Sequence, residues 1–162
     1  MTFHLKGLAR LCGLLAVTVL LLGLTFVSTP SAEAAVSPSA ATTAAYEARV
    51  IYATNIQRLR YKRHKLVAAA CPDRYAEGWA AYLARTGAFR HQSMYPILKG
   101  CRATRVAENL ARGGVGADRI VAAWMASPGH RANILDARLT QIGVAAVYAR
   151  GRWTVVADFM RP

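Results

Sequence analysis

Three side chains that lie far apart in the sequence, His91, Glu108 and His130, have the chemistry of a metal-binding or acid–base site. Two imidazoles and a carboxylate can hold a divalent cation and leave one coordination position open for water. Isolated histidines, however, are more often hydrogen-bonded structural residues than ligands. No His-Glu-x-x-His pattern strengthens the metal interpretation. Whether the three residues form a site depends on the elements that carry them.

His130 belongs to the stretch Trp124–Leu135, in which the sequence predicts the end of one helix and the start of another. Residues 118–125 place apolar side chains at helical spacing. Ser127 and Pro128 then interrupt the pattern, and they suit the N-cap and the first turn of a new helix. His130 is therefore expected in that first turn. Ser127 could alternatively act as a nucleophile beside His130, but helix capping explains it more simply.

Two further helices are predicted upstream. Helical periodicity begins at Tyr46 and fades near Arg60, with Arg58 expected to face water. The second helix begins near Pro72, and Gly87 offers its C-terminal stop. His91 follows directly, so we expect it just beyond the end of that helix.

The remaining pattern predicts strands and irregular segments. Residues 65–67 and 101–106 are expected to be short strands, and residues 92–100 to be irregular. Apolar residues recur with a period of two over residues 142–148 and 153–159, which predicts a C-terminal β-hairpin. Helices that cover a small sheet of this kind indicate an α+β domain.

The first third of the chain is typical of a secretory signal. Lys6 and Arg10 precede an apolar run over residues 11–27, and a small-x-small motif ends at Ala34. We therefore predict a signal peptide over residues 1–34 and a secreted, extracellular protein that has no membrane span after cleavage. The alternative is an uncleaved anchor, because the apolar run approaches the length that a bilayer requires.

The mature chain that this cleavage predicts is a single basic domain. Residues 35–44, rich in Ala, Ser, Thr and Pro, are expected to be a flexible lead-in, and residues 45–162 are enough for one core. The full chain carries a formal charge of +13, nearly all of it outside the signal. Such a charge favours anionic cell-wall polymers, acidic lipids or nucleic acid, but no specific nucleic-acid-binding motif accompanies it. A monomer is expected.

Cys71 and Cys101 are the cysteines that remain after signal cleavage. Two cysteines in an exported chain most simply form one disulfide. It would close a loop of about 30 residues and stabilise the fold by about 3 kcal/mol. Buried free thiols and metal ligation are the alternatives. Ligation is disfavoured because neither cysteine has a second cysteine or a histidine at ligand spacing.

The order of four motifs resembles the bacterial branch of the CAP superfamily, which comprises cysteine-rich secretory, antigen 5 and pathogenesis-related proteins. The motifs are Phe89–His91, Ala107–Ala111, Trp124–Leu135 and Thr140–Val144. The resemblance covers about residues 46–160, essentially the whole mature domain. It implies a three-layer α-β-α sandwich with a small antiparallel sheet between helices.

The resemblance also implies a cleft of two histidines and two acidic residues that binds zinc or another divalent cation. His91 and His130 match the histidines, Glu108 matches the first acid, and Ser127 stands where the second acid is expected. With one carboxylate absent, we expect weaker cation binding and a single candidate catalytic base, Glu108. Further residues expected to line the cleft are Ser127, Asn109 and Arg131.

These residues favour a secreted binding protein, non-enzymatic or weakly enzymatic, whose cleft recognises an extracellular ligand such as a lipid or a cell surface. The alternative is a metal-assisted hydrolase of peptide or cell-wall material, with Glu108 as the general base. The absent second acid counts against it. A third hypothesis is a basic protein retained on anionic cell-wall polymer by charge alone, which salt would weaken.

Overall fold

The computed structural model describes residues 38–162, which form a four-stranded sheet between two layers of helices. In chain order the elements are α1 (Ala40–Arg60), β1 (Val67–Ala68), α2 (Ala70–Thr86), α3 (Tyr95–Gly100), β2 (Arg105–Gly113), α4 (Ala117–Ala126), α5 (Pro128–Leu135), β3 (Gln141–Ala149) and β4 (Arg152–Arg161). The predicted signal peptide, residues 1–34, lies outside the described residues, as do residues 35–37 of the predicted lead-in. None of the described helices is long and apolar enough to cross a membrane.

The strands are ordered β1-β3-β4-β2 across the sheet. β3 and β4 form the predicted antiparallel hairpin, with Arg150 and Gly151 in the turn at positive φ. β2 pairs antiparallel with β4 over its whole length and is an edge strand. β1 pairs parallel with β3, so the sheet is mixed rather than wholly antiparallel as expected. The reason is that the segment after α1 runs along the outer edge of β3 in the same direction as that strand.

The two faces of the sheet bury separate cores, because successive strand residues point to opposite faces. Trp124, Val155 and Phe159 belong to the core beneath α1, α4 and α5. On the other face, Leu83 of α2 packs in a smaller core with Val156. The predicted three-layer α+β fold is therefore confirmed.

α2 lies very close to β3 because a glycine is placed beneath it. A Cβ atom at Gly143 would overlap the backbone of Asp73. The Asp73 carboxylate accepts a hydrogen bond from the backbone N–H of Val144 at 3.0 Å, and Glu47 of α1 accepts one from Ala146 at 2.8 Å. These two carboxylates satisfy N–H groups of β3 beyond the end of β1, where no strand covers its outer edge.

α1 begins earlier than the sequence predicts. Its first residue is Ala40 rather than Tyr46, so the second half of the expected flexible lead-in is helical. Ser39 is the N-cap, and its hydroxyl accepts a hydrogen bond from the backbone N–H of Thr42. Side-chain capping of this kind starts a helix even where no apolar pattern marks one.

The region between α2 and β2 also differs from the prediction. Residues 95–100, expected to be irregular, form the short helix α3, because Pro96 occupies its first turn, where a proline is tolerated. β2 begins at Arg105, not at Cys101, and continues to Gly113 because its residues pair with β4 throughout.

Cys71 and Cys101 form the predicted disulfide, with their Cα atoms 5.8 Å apart. The bond joins the first turn of α2 to the residue that follows α3. It therefore fixes α3 against the start of α2.

Arg58, expected to face water, is instead 1% exposed. Its guanidinium group donates to four backbone carbonyl oxygens, those of His64 (2.7 Å), Ile134 (2.7 Å), Asp136 (3.0 Å) and Leu139 (3.1 Å). A buried charge is tolerated where hydrogen bonds replace its water shell. Arg58 thus ties the end of α1 to the chain that leaves α5 and approaches β3.

Replacing Arg58 by Leu should destabilise the protein by about 3 kcal/mol, because several buried carbonyl groups lose their donors together. Arg60→Leu, at an exposed position two residues further along α1, is the matched control and should change the free energy of unfolding by less than about 0.5 kcal/mol. Urea denaturation of the two variants and the wild type measures both values. Equal effects of the two substitutions would contradict a structural role for Arg58.

Candidate functional site

His91 and Glu108 are in direct contact. Nδ1 of His91 and Oε1 of Glu108 are 2.5 Å apart. The side chain of Glu108 is 1% exposed, whereas that of His91 is 61% exposed. A buried carboxylate therefore holds an imidazole that meets solvent. Such a contact fixes the orientation of the ring and favours the tautomer that carries its proton on Nδ1.

The end of α2 and the strand β2 together place His91. α2 ends at Thr86 and is capped by Gly87, whose φ of 77° is in the left-handed region. Arg112 of β2 donates to three carbonyl oxygens at this end, those of Leu83 (3.2 Å), Gly87 (3.0 Å) and Ala88 (2.5 Å). Trp79 adds a hydrogen bond of 3.1 Å from Nε1 to the carbonyl oxygen of Arg90. The segment that carries His91 is thus held onto the strand that carries its carboxylate.

Gln92 connects Glu108 to a second buried carboxyl group, Asp158 of β4. The amide nitrogen of Gln92 lies 2.9 Å from Oε2 of Glu108 and 2.9 Å from Oδ2 of Asp158. Glu108 and Asp158 are directly opposite in the pairing of β2 with β4. Asp158 is 0% exposed, and its Oδ1 has no hydrogen-bond partner among the described residues.

Burial raises the pKa of Asp158 to about 8, and the neighbouring charge of Glu108 acts in the same direction. The hydrogen bond from Gln92 opposes the shift, but it satisfies one oxygen only. Asp158 is therefore mainly protonated at neutral pH. The pair of carboxyl groups avoids placing two negative charges side by side in a buried environment.

Neither Gln92 nor Asp158 was expected at the site from the sequence. The second acid was expected at the position of Ser127, whereas the second carboxyl group beside Glu108 comes from β4. A signal was present, because Asp158 is the single charged residue in the buried interior of β4, between the exposed ends Arg152 and Arg161. A charged residue at such a position requires a polar partner, but the sequence does not say which strand supplies it.

α4 and α5 are attached to the outer edge of β2 by side chains of the Trp124–Leu135 stretch. Nε1 of Trp124 donates to the carbonyl oxygen of Leu110 at 2.9 Å. The side-chain amide of Asn133 donates to the carbonyl oxygen of Glu108 at 3.1 Å. These bonds place α5 beside the residue that holds His91.

His130 lies in the first turn of α5, as its sequence predicts. Its carbonyl oxygen accepts a hydrogen bond of 3.1 Å from Asn109. Burial lowers the pKa of His130, and the positive charge of His91 lowers it further. The neutral form of the His130 imidazole is therefore favoured.

The other residues expected to line the cleft make separate contacts. They are Asn109, Ser127 and Arg131. Asn109 is 0% exposed and accepts a hydrogen bond from Asn133, because it points to the opposite face of β2 from Glu108. Ser127 occupies the N-cap position of α5, but its hydroxyl forms no capping hydrogen bond. The guanidinium of Arg131 lies 4.9 Å from the ring of Tyr61, towards α1.

No three His, Cys, Asp or Glu side chains within residues 38–162 are arranged to hold a metal ion. Glu108 does not fit as a direct ligand here, because both its oxygens accept hydrogen bonds from His91 and Gln92. The imidazoles of His91 and His130 remain as nitrogen donors. Glu108 has the position of a carboxylate that orients a ligating histidine rather than one that binds metal itself.

Asp158→Asn should remove a pH dependence of stability. The folded protein keeps the Asp158 proton up to about pH 8, whereas the unfolded carboxyl group, with a pKa near its ordinary 3.8, has released it. Between these values the folded state binds more protons, so this group makes the free energy of unfolding fall as the pH rises, by up to about 1.4 kcal/mol per pH unit.

Urea denaturation of the wild type and Asp158→Asn between about pH 5 and about pH 9 measures this effect. The unfolding free energy of the variant minus that of the wild type should increase with pH up to about pH 8 and then stay constant. Titrations that the two proteins share cancel in the difference. A difference that is independent of pH would show that Asp158 is already ionised in the folded protein.

The model of the cysteine-rich secretory protein (CAP) family matches residues 51–159. The uncharacterized protein YkwD of Bacillus subtilis is 32% identical over 117 residues, which cover 68% of this chain and 46% of that protein. The chain thus spans about half the length of the curated relative that it matches.

Three solved bacterial structures share the fold. Their sequence identities to this chain are 20% or lower, so the similarity concerns the fold alone. An extracellular protein containing an SCP domain from Bacillus anthracis has a TM-score of 0.68 at 20% identity, covering 77% of this chain and 44% of that one. An outer surface protein of Borrelia burgdorferi has a TM-score of 0.64 at 20% identity, covering 69% and 89%. A cysteine-rich secretory protein of Staphylococcus aureus has a TM-score of 0.62 at 16% identity, covering 76% and 41%. Since the family model extends over more than half of the sequence, the chain belongs to the cysteine-rich secretory protein (CAP) family.

Proposed function

We propose that this CAP domain is exported and acts by binding an extracellular ligand at the cleft that His91 and His130 border. The signal-like N-terminal sequence supports export, and so does the disulfide, because such bonds persist in oxidising compartments. The extracellular, outer-surface and secretory descriptions of the three bacterial relatives agree with it.

The observation that carries the binding role is the contact between buried Glu108 and exposed His91. Burying carboxyl groups is unfavourable compared with an apolar core of the same volume. The protein nevertheless buries two, Glu108 and Asp158, and uses Gln92 and His91 to satisfy them. A hydrogen-bond network that only stabilised the fold would not require an imidazole that is exposed to solvent. An oriented imidazole at the surface is suited to meet a ligand.

Within this cleft, His91 and His130 would hold a divalent cation such as zinc, and Glu108 would orient His91 without binding the cation. Two imidazoles suit zinc, which accepts nitrogen donors and commonly four ligands. A cation held in this way would supply open coordination positions for oxygen or nitrogen atoms of an extracellular ligand. The affinity should be lower than that of a site with three or four protein ligands.

The contacts of Glu108 give less support to a hydrolase. A general base needs a carboxylate oxygen within reach of the water that it activates. Both oxygens of Glu108 already accept hydrogen bonds, and the side chain is buried. No hydrogen bond among the described residues joins the Ser127 hydroxyl to His130, so a nucleophile and base pair has no support either.

Zinc titration by calorimetry tests this proposal. The wild type should bind one equivalent, and His91→Ala and His130→Ala should each lose that binding. Glu108→Gln should weaken it by about 10-fold to 100-fold rather than abolish it, because a residue that orients a ligand acts indirectly. His64→Ala is the matched control, since His64 is an exposed histidine on the segment after α1.

Thermal unfolding of each variant shows whether lost binding reflects lost structure. Zinc binding that survives in both His91→Ala and His130→Ala would place the ion elsewhere, and a loss in His64→Ala would do the same. A wild type that binds no zinc would overturn the cation role. Full loss of binding in a folded Glu108→Gln variant would make Glu108 a direct ligand.

A further inference from the structure

A groove lies beside the cleft, and most of the residues that line it have no role in the proposed cation site. It is a cavity of about 370 Å³ between the outer face of α2 and the segment that leads into α3. Its lining includes Arg74, Tyr75, Gly78, Trp79, Gln92 and Pro96. A volume of this size lies at the lower end of the range for small-molecule sites, about 300 to 1,000 Å³.

The walls of the groove are aromatic and fixed in place. Trp79 stacks on Tyr82 with ring centroids 4.8 Å apart, and its Nε1 donates to the carbonyl oxygen of Arg90. The hydroxyl of Tyr75 packs against Gly100, where a Cβ atom would overlap it. The disulfide holds α3, which forms the opposite wall, against the start of α2. The groove is therefore formed before any ligand arrives, as small-molecule sites usually are.

Arg74 gives the groove a positive charge. Its side chain is exposed and forms no ion pair with a carboxylate in the part of the chain that the structure describes. The excess of basic residues over the whole chain, +13, adds a general attraction for anions. A guanidinium group binds a carboxylate through two parallel hydrogen bonds. The groove therefore complements a ligand that carries a carboxylate.

The lining does not suit an alkyl chain or an extended peptide. Apart from the Pro96 ring it offers no aliphatic side chain to an alkyl chain, and it lies between helices, where no free strand edge is available to an extended peptide. Aromatic faces beside the polar residues Gln92 and Ser93 suit a ring with one apolar C–H face and polar substituents. A pyranose sugar has this character.

We infer that this groove binds an acidic saccharide, with one sugar ring packed against Trp79 and the carboxylate of the sugar bound by Arg74. Gln92 lines the groove and also donates to Glu108 and Asp158, so the saccharide lies next to the His91 cleft. The inference rests on the proposed function in treating the protein as an extracellular binding domain. It requires no cation.

Two disaccharides of matched size test the inference. One is N-acetylglucosaminyl-N-acetylmuramic acid, and the other is N,N′-diacetylchitobiose, which lacks the lactyl carboxylate. Tryptophan fluorescence can follow binding, because Trp79 is partly exposed whereas Trp124 and Trp153 are 2% and 7% exposed. The acidic disaccharide should bind about tenfold more tightly than the neutral one, since its carboxylate gains hydrogen bonds to a charged group.

Substitutions on α2 separate charge from shape. Arg74→Gln should remove the preference for the acidic disaccharide, while Arg85→Gln, at an exposed residue of the last turn of α2, should keep it. Gly78→Leu should abolish binding of both sugars, because its side chain enters the groove where a Cβ atom meets no other atom within 4 Å. Gly78→Ala adds less bulk and should reduce binding less. Neither substitution should lower the unfolding temperature, since glycine is unfavourable inside a helix.

All titrations are made with EDTA present, and His91→Ala and His130→Ala are included. Saccharide binding that persists in these two variants supports the groove even if zinc binding fails. Absence of binding to the acidic disaccharide, or unchanged binding in Gly78→Leu, would overturn the inference. A single-stranded oligonucleotide that binds in place of either sugar, and is lost in Gly78→Leu, would also overturn it and assign the aromatic surface to base stacking.

Discussion

The outer edge of β2 is the constraint on which the arrangement of this domain depends. The carbonyl oxygens of Glu108 and Leu110 accept hydrogen bonds from outside the sheet, and a buried carbonyl without a donor would destabilise the fold by about 1–3 kcal/mol. Trp124 and Asn133 provide the donors, so satisfying the edge of the strand also attaches α4 and α5 to it. His130 is brought to the site as part of this attachment.

The same strand organises the opposite side of the site through its side chains. Arg112 holds the end of α2, and Glu108 holds the imidazole that follows it. The two histidines therefore reach one strand from different layers of the sandwich. Asp158, opposite Glu108 on β4, completes a buried polar group whose charge is limited because burial raises the pKa of Asp158 to about 8. Polar residues in the sheet thus support an exposed imidazole while the helices and their two apolar cores supply the stability.

Much of the fold and part of the candidate site could be predicted from local sequence patterns. Pro128 after Ser127 marked the start of α5, Gly87 marked the end of α2, and period-two alternation marked the hairpin. The resemblance to the CAP family indicated His91, Glu108 and His130 together. Arg58 was misplaced because its burial depends on carbonyl groups more than 70 residues away, which no helical periodicity can reveal. Asp158 was missed because strand pairing, and not sequence spacing, sets it opposite Glu108.

The sequence by itself determined the α+β class and the order of most elements, because these follow from periodicity, capping and turn chemistry within short windows. The three-layer sandwich was indicated by the resemblance to the CAP family. The sequence also favoured the disulfide between Cys71 and Cys101, which the structure contains. Only the tertiary structure decided which polar groups meet, namely His91 with Glu108, Gln92 with Asp158, and Trp79 with the carbonyl oxygen of Arg90. Such contacts depend on the register of β2 with β4 and on how closely Gly143 lets α2 approach the sheet, and both are set by packing over the whole domain.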